Sequence, residues 1–571
     1  GSSLINYLLG ITQIDPLDQP LEMPFWRFIH SERPGLPDID IDTEASKRVA
    51  VFNKVQDYFK SLGGDLIHVC TFGTEKTKGA INTAIKGLGL NEDLGSYLTA
   101  MIPNERGNDL TLSQCYYGDE ENDFAPIPLF VAAMKEYPEL WKVAQRIEGL
   151  VCRVGEHAGG VIFVDEPFIN STALMKAPNG DVITCYDLHK AEAAGDTKYD
   201  FLVTEVSDKI IKTFDMLDED GVIDNTNLRE TYNKYIHPEV IDTTEKGIWE
   251  HLAAGDVLDV FQFSGGVGLA IAKKLKPTDP LEMTAANAMM RLMSEKGVES
   301  QQDRYARIQK QGIDVFDAEM RKKHMPEDII EKMHKHCDKY YGCCAIQEQM
   351  MEILMDVVGF TLGEANNARK IVAKKQMAKI PELRKQVYDK MQNDVIADYV
   401  WEIAVRPQLG YAFSMNHSLP YSFVGIQTIF LAMRFNPIYW NCACLIVNSG
   451  ALEDNSEEEI VDIYDLEGDD LANGVTFEDL PDHKSKIRKT ASTDYGKVAK
   501  AIGDIRAAGI NVSLANINKS QFGFAPDVEN NRILFGLKGL LNVGDDVVQS
   551  ILDNRPYENF IDFINGFKYN I

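Results

Sequence analysis

The run Asp38-Ile39-Asp40-Ile41-Asp42 constrains this chain more than any other stretch. Side chains of a β-strand alternate between faces, so the aspartates share one face and Ile39 and Ile41 anchor the other. Adjacent carboxylates repel one another unless cations stand between them, and all-oxygen ligands select hard ions such as Mg²⁺. A solvated acidic edge is one alternative. A calcium loop is another, although it needs a glycine after the third acid and Thr43 and Glu44 follow here. Further along, Lys198 and Asp200 share a face of a second strand, with Tyr199, Phe201 and Val203 expected to pack inward. A carboxylate brought beside the first strand would complete a two-metal site for phosphoryl transfer, with the lysine offsetting phosphate charge. Asp200 as a buried, hydrogen-bonded acid is the alternative.

Charge narrows the function. With 58 basic against 87 acidic residues the 571-residue chain carries −29, so a purely electrostatic DNA coat is excluded. Any contact with nucleic acid must come from local basic strips. Residues 369–390 form one, with eight Lys or Arg against Glu382 and Asp389. Residues 453–470 are the opposite, ten Asp or Glu without a basic residue, read as a solvated insertion or else a docking tail. No apolar run approaches the roughly 20 residues that span a bilayer, and the nine cysteines are scattered, which predicts reduced thiols, a cytoplasmic protein and no zinc. His334, His336 and Cys337 sit in a segment, 328–339, that reads as a charged helix surface rather than a metal cluster.

The pattern of elements predicts an α+β multidomain chain. After a Pro-punctuated start come the acidic strand and a helix with Val49, Phe52, Val55 and Phe59 on one stripe. Apolar positions then keep helical spacing to about residue 147. Two β-rich pieces follow, around Gly160-Val161-Ile162-Phe163-Val164 and Lys198-Tyr199-Asp200-Phe201-Leu202-Val203. Residues 207–448 are mostly helical. The last segment holds strand-like pieces and Leu537-Lys538-Gly539-Leu540-Leu541-Asn542-Val543-Gly544 before a helix.

Motifs in order carry a resemblance. Leu36-Pro37-Asp38-Ile39-Asp40-Ile41-Asp42, Thr71-Phe72-Gly73-Thr74, Glu156-His157-Ala158-Gly159-Gly160-Val161-Ile162 and Lys198-Tyr199-Asp200-Phe201-Leu202 come first. Val260-Phe261-Gln262, Tyr341-Gly342 with Gln347-Glu348-Gln349, Gly359-Phe360-Thr361-Leu362-Gly363-Glu364-Ala365, and Asn416-His417-Ser418 through Gln427-Thr428 continue the series. Together they resemble the bacterial C-family replicative DNA polymerase, the DNA polymerase III alpha subunit, in a divergent phage-type form.

The resemblance implies a nucleotidyltransferase-like palm of the polymerase beta type. Its first part is 1–75, truncated at its start, and its second part 151–206. A thumb lies at 76–150, fingers at 207–530 and an incomplete helix-hairpin-helix-like segment at 531–571. It implies a DNA-directed DNA polymerase that adds deoxynucleotides to a primer 3′-hydroxyl. Asp38, Asp40 and Asp200 then hold two Mg²⁺ ions and Asp42 is a bystander. Lys198 lies near the incoming triphosphate, and Arg369, Lys370, Lys374, Lys375, Arg291, Gln262 and His417 contribute to nucleotide binding. Lys538, Asn542 and Gly544 would meet a duplex phosphate without reading sequence. The implied partners are primer-template DNA, deoxynucleoside triphosphates and an upstream chain carrying the family's Arg-Gly-Ser loop, which precedes the match to Gly1-Ser2-Ser3-Leu4. Sliding clamp and replisome contacts would run through segments outside this chain, and no membrane is involved. A non-catalytic DNA-binding or assembly subunit of the same descent is the alternative. Departures fall on the nucleotide side: the family's Asn-Lys-Ser-His is Ser414-Met415-Asn416-His417, an acid is replaced by Asn366, Gln262 is followed by Phe263-Ser264, Arg291 stands alone before Leu292, and Asn542 replaces a glycine.

Overall fold

The β-branched and aromatic run around Val161 builds the middle of a six-stranded mixed sheet. The computed structural model describes residues 26, 39–105, 108–119, 124–178, 180–292, 298–373, 376–409, 411, 413–451 and 493–566. Asp38, Lys374, Lys375 and the acidic segment 453–470 lie outside the described residues.

The chain divides into two compact units, one of which holds residues 39–204. Its strands are β1 (Ile39–Glu44), β2 (Asp65–Thr74), β3 (Val151–Val164), β4 (Leu174–Lys176), β5 (Val182–Asp187) and β6 (Thr197–Thr204), ordered β1-β6-β3-β2-β5-β4. β1 and β6 are parallel, β3 runs antiparallel to both β6 and β2, and β2 is parallel to β5. Helix α1 (Arg48–Ser61) covers one face, where Phe52 packs with Leu66, Val161 and Phe201. Gln56 of α1 is buried too, and its amide donates to the Leu66 carbonyl at 2.8 Å, so the polar group beneath the helix is satisfied. The opposite face buries Ile67, Val69, Ile162, Phe168 and Ala191.

Among the described residues five helices run between β2 and β3, α2 (Thr77–Gly87), α3 (Glu92–Ala100), α4 (Leu112–Tyr117), α5 (Pro128–Glu136) and α6 (Pro138–Ile147), around a core of their own. Thr111 and Gln114 close a reciprocal capping box at the start of α4. The inward packing expected of this unit's strands holds for Tyr199 and Phe201 but not for Val203, which is 49% exposed, or Ile41, at 36%. β1 is an edge strand, and the aromatic layer under α1 ends at Phe201.

The other unit is mainly helical. α7 (Glu205–Glu219) packs against α12 (Pro437–Asn448), and α8 (Pro280–Met289) against α11 (Met415–Arg434). α9 (Gln347–Asp356) and α10 (Leu362–Ala373) form a second core with the helices around Ile330 and Val400. In that helical region His334 pairs with Asp338 and Asp317, and His336 with Asp356 and Glu352, but the expected charged surface holds only in part, because Cys337 is buried and the His336 side chain nearly so. At the end, β7 (Asn511–Val512), β8 (Ala525–Asp527) and β9 (Arg532–Leu534) make a small sheet ordered β8-β9-β7, followed by α13 (Asp545–Asp553). Trp440 is 1% exposed, and its indole N–H donates to the Leu258 carbonyl at 2.7 Å. Trp440→Ala is expected to cost about 3–5 kcal/mol of stability, read as a lower denaturation midpoint. Trp440→Phe should lose only about 1–3 kcal/mol, for the orphaned carbonyl.

Candidate active site

The parallel pairing of β1 and β6 places Asp40 directly opposite Asp200. Register partners point to the same side of a sheet, so the two carboxylates are neighbours on one face. Across β6 the next partner of Asp200 is Gly160 of β3, while Lys198 pairs with Ile162. On this face the apolar layer of Ile162 and Ile67 therefore gives way, one step along β3, to a position without a side chain, and the carboxylates stand beside it.

Lys198 Nζ lies 2.9 Å from Asp200 Oδ2, with both side chains largely buried. The other oxygen, Oδ1, is buried and has no hydrogen-bond partner among the described residues. A buried carboxylate oxygen left unpaired is costly unless something positive meets it, so Asp40 and Asp200 fit a divalent cation, with Asp38 two residues before Asp40 in the sequence. Among the described residues no group of three or more His, Cys, Asp or Glu side chains is placed to hold a metal ion, Asp38 lying outside them.

β3 also departs from a regular ladder here. His68 of β2 pairs with Val161 and Cys70 with Glu156, so His157, Ala158, Gly159 and Gly160 stand against the single residue Val69. Such bulges re-aim side chains beside sites. A Cβ on Gly159 would come within 2.8 Å of the Phe201 carbonyl oxygen, which is why glycine is needed there. The bulge is braced from α1 by Arg48, which meets Glu156 at 3.4 Å. His68 stacks on Phe52 with ring centres 4.1 Å apart. Burial, reinforced by the charge of Arg48, lowers its pKa to about 3. Although its Nδ1 is 3.3 Å from Glu156 Oε1, burial outweighs that carboxylate and the ring is neutral.

In the helical unit three residues expected at the nucleotide come together. Gln262 takes a left-handed backbone, φ +66, strained for a side chain other than glycine. Its Oε1 accepts from an Arg291 nitrogen at 2.7 Å, and a second Arg291 nitrogen donates to the Tyr411 hydroxyl at 3.1 Å. The guanidinium lies 4.6 Å over the Phe413 ring. Phe413 meets His417 edge-on at 4.9 Å, His417 meets Tyr421 at 4.3 Å, and Tyr421 meets Phe261 at 5.1 Å. The result is a continuous aromatic strip that ends on a planar cation, and among the described residues no carboxylate pairs with Arg291. Arg369 joins it indirectly. It donates to the Asn366 side chain at 3.1 Å and to Gln347 Oε1 at 3.3 Å, and the Gln347 backbone N–H donates to the Phe413 carbonyl at 2.9 Å. The neighbouring Lys370 is exposed on α10.

At the end of the chain Lys538 is largely buried and ion-paired with Asp545. Asn542 takes φ +61, the conformation glycine would adopt, and its N–H donates to the Tyr495 hydroxyl at 3.3 Å. Gly544 caps α13 facing open space. Leu537–Gly539 forms only a short 3₁₀ turn, so the first arm of this hairpin is less helical than expected.

Sequence reasoning gave no role to His157, Tyr411, Phe413 or Tyr421. Two consecutive glycines within a strand pattern were the available signal for the bulge. The aromatic strip had none, because its members approach only through folding.

Residues 1–203 match the bacterial DNA polymerase III alpha NTPase domain, residues 221–395 the finger domain of the same subunit, and residues 509–570 a helix-hairpin-helix motif. The chain is 42% identical over its full length to the probable DNA polymerase YorL of Bacillus subtilis and to a DNA-directed DNA polymerase of Bacillus phage SPbeta, covering 42% of each. It is 26% identical over 99% of its length to the DNA polymerase III subunit alpha of Campylobacter jejuni, covering 41% of that protein. The chain thus spans about two fifths of the length of these relatives. Two domain models of a single subunit, in order along the chain and together covering more than half of it, establish that this chain belongs to the DNA polymerase III alpha family.

Proposed function

We propose that this chain is the palm, thumb and fingers portion of a template-directed DNA polymerase, transferring deoxynucleotides from their triphosphates to a primer 3′-hydroxyl. The observation that carries the reading is the in-register pair Asp40 and Asp200 with a buried Asp200 oxygen that has no partner among the described residues. Asp40, Asp200 and, by the resemblance, Asp38 would hold Mg²⁺. When bound, the two ions would supply a more acidic primer hydroxyl and a stabilised leaving oxyanion. Lys198 keeps the Asp200 carboxylate oriented through one oxygen and leaves the other free for ligation. Asp42 is the bystander.

Arg291 and Arg369 bind triphosphate oxygens through planar, forked donors, with Lys370, Lys374 and Lys375 adding charge. Gln262 and Tyr411 hold the Arg291 fork open, while His417 and its aromatic neighbours offer a stacking surface to the base. The amides near Asn542 and Gly544 meet a duplex phosphate, whereas Lys538 is engaged with Asp545 and contributes less to that contact. With −29 net charge the body repels DNA, so binding through the basic strips falls steeply with salt. By the resemblance, an upstream chain or segment supplying the family's triphosphate-gripping loop completes the site.

The test is addition of a single nucleotide to a primed template, by this chain alone and by this chain mixed with the polypeptide encoded immediately upstream. Incorporation of the template-complementary nucleotide in either sample supports the reading. Tight primer-template binding without incorporation in both would replace it with a non-catalytic DNA-binding subunit.

A further inference from the structure

The bulge in β3 does more than bend a strand. Nδ1 of His157 accepts hydrogen bonds from the Gly159 N–H at 3.2 Å and the Gly160 N–H at 2.6 Å. A ring nitrogen that accepts from two amides carries no hydrogen, so the imidazole is neutral and its hydrogen is on Nε2. The position of the ring is fixed equally firmly. A Cβ on Gly160 would lie 2.7 Å from Nδ1, so the imidazole occupies the space that a side chain at residue 160 would take. Gly160 is the register partner of Asp200. Directly opposed residues project to one face, which places the ring on the face carrying Asp200, Asp40 and Lys198. Among the described residues Asp200 Oδ1 has no hydrogen-bond partner, so the ring does not donate to it, and no carboxylate is ion-paired with the ring.

We infer that His157 is a substrate-contacting residue whose Nε2–H donates to a phosphate oxygen of the nucleotide, or of the departing pyrophosphate, held at the Asp40–Asp200 face. This rests on the polymerase reading above. A neutral donor suits the place. It adds a hydrogen bond to a phosphate without repelling divalent ions, and the backbone clamp on Nδ1 removes the freedom that would otherwise be lost on binding. Both glycines of the bulge then have a reason: Gly159 for the approach to Phe201 and Gly160 to admit the ring.

Two substitutions separate the clamp from the donor. Asparagine places its carbonyl oxygen where Nδ1 sits and keeps the clamp without the Nε2–H, whereas glutamine extends an amide N–H toward Nε2 without the clamp. His157→Asn is expected to keep the melting temperature and primer-template affinity while slowing single-turnover incorporation about 10–100-fold, the worth of one hydrogen bond to a charged group. His157→Gln should recover part of that rate. Wild-type incorporation by His157→Asn would overturn the inference. Should neither variant fold, histidine-labelled wild-type protein serves instead, by long-range ¹H–¹⁵N correlation. His157 is expected as the Nε2–H tautomer, with its Nε2 resonance shifting on addition of magnesium pyrophosphate, and an unmoved resonance or the Nδ1–H tautomer would overturn it. Because that titration needs no incorporation, it separates failure here from failure of the polymerase reading, which a wild-type chain inactive with and without its upstream partner would signal.

Discussion

Replacing Asp200 by alanine is expected to lower the rate of nucleotide incorporation by at least about 1,000-fold, beyond the roughly 10–100-fold typical of groups that merely support a metal ligand. Primer-template affinity should change little, because that affinity comes from basic strips and backbone amides elsewhere. The size of the effect follows from geometry. Asp200 is the residue at which two strand neighbours meet, Asp40 on one side and the side-chain-free Gly160 on the other. One of its oxygens is engaged by Lys198 and the second, buried, is unpaired. Alanine removes both and leaves the Lys198 ammonium without that partner. Asp40→Ala should act in the same way from the edge strand. Asp42→Ala provides the control. It lies two residues along the same strand, opposite Leu202 rather than an acid, and should cost only a few-fold. Single-turnover incorporation measures all three, in whichever sample, chain alone or chain with its upstream partner, is active.

Arg291→Lys should be nearly as damaging as Arg291→Ala, each lowering kcat/KM for the nucleotide about 10–100-fold through a raised KM, the range expected when a charged hydrogen-bonding group is lost. Lysine keeps the charge but loses what positions it. The guanidinium is held by Gln262 and Tyr411 through separate nitrogens and lies over the Phe413 ring, and an ammonium cannot reproduce the planar fork or the stacking. A lysine variant with wild-type KM would mean that only charge matters at this position. Loss of Gln262 should weaken nucleotide binding in the same direction and by less, since its role is to orient the arginine.

Much of the candidate site was legible because it is local. Alternation in 38–42 and 198–203 fixes which residues share a face whatever the rest of the chain does, so Asp40, Lys198 and Asp200 were nameable before any fold was known. That β1 and β6 are neighbours, parallel and in a register that sets Asp40 against Asp200, is a non-local fact. Only the ordered motifs of the family pointed to it. The fate of Val203 and Ile41 was not legible, because period-2 alternation reports the two faces but not where the covering layer stops. The aromatic strip illustrates the same boundary. Phe261 and Tyr421 are far apart in sequence yet in ring contact, and nothing in either neighbourhood announces the other. Lys538 was singled out for its place in a hairpin motif. Its pairing with Asp545 follows from a turn that brings residues seven positions apart together, which a motif match does not describe.

The claim on which the rest depends is that Asp40 and Asp200 together hold the divalent cation at the reacting phosphate. It is tested most directly by measuring Mn²⁺ bound to the chain in the presence of primer-template and a non-hydrolysable nucleotide, using the electron paramagnetic resonance signal of the free ion. The account predicts specific binding by the wild-type chain that weakens at least about tenfold in both Asp40→Ala and Asp200→Ala, as expected when a ligand rather than a supporting group is removed, and that is unchanged in Asp42→Ala. Equal Mn²⁺ binding by the wild-type chain and the Asp40 and Asp200 variants would contradict it.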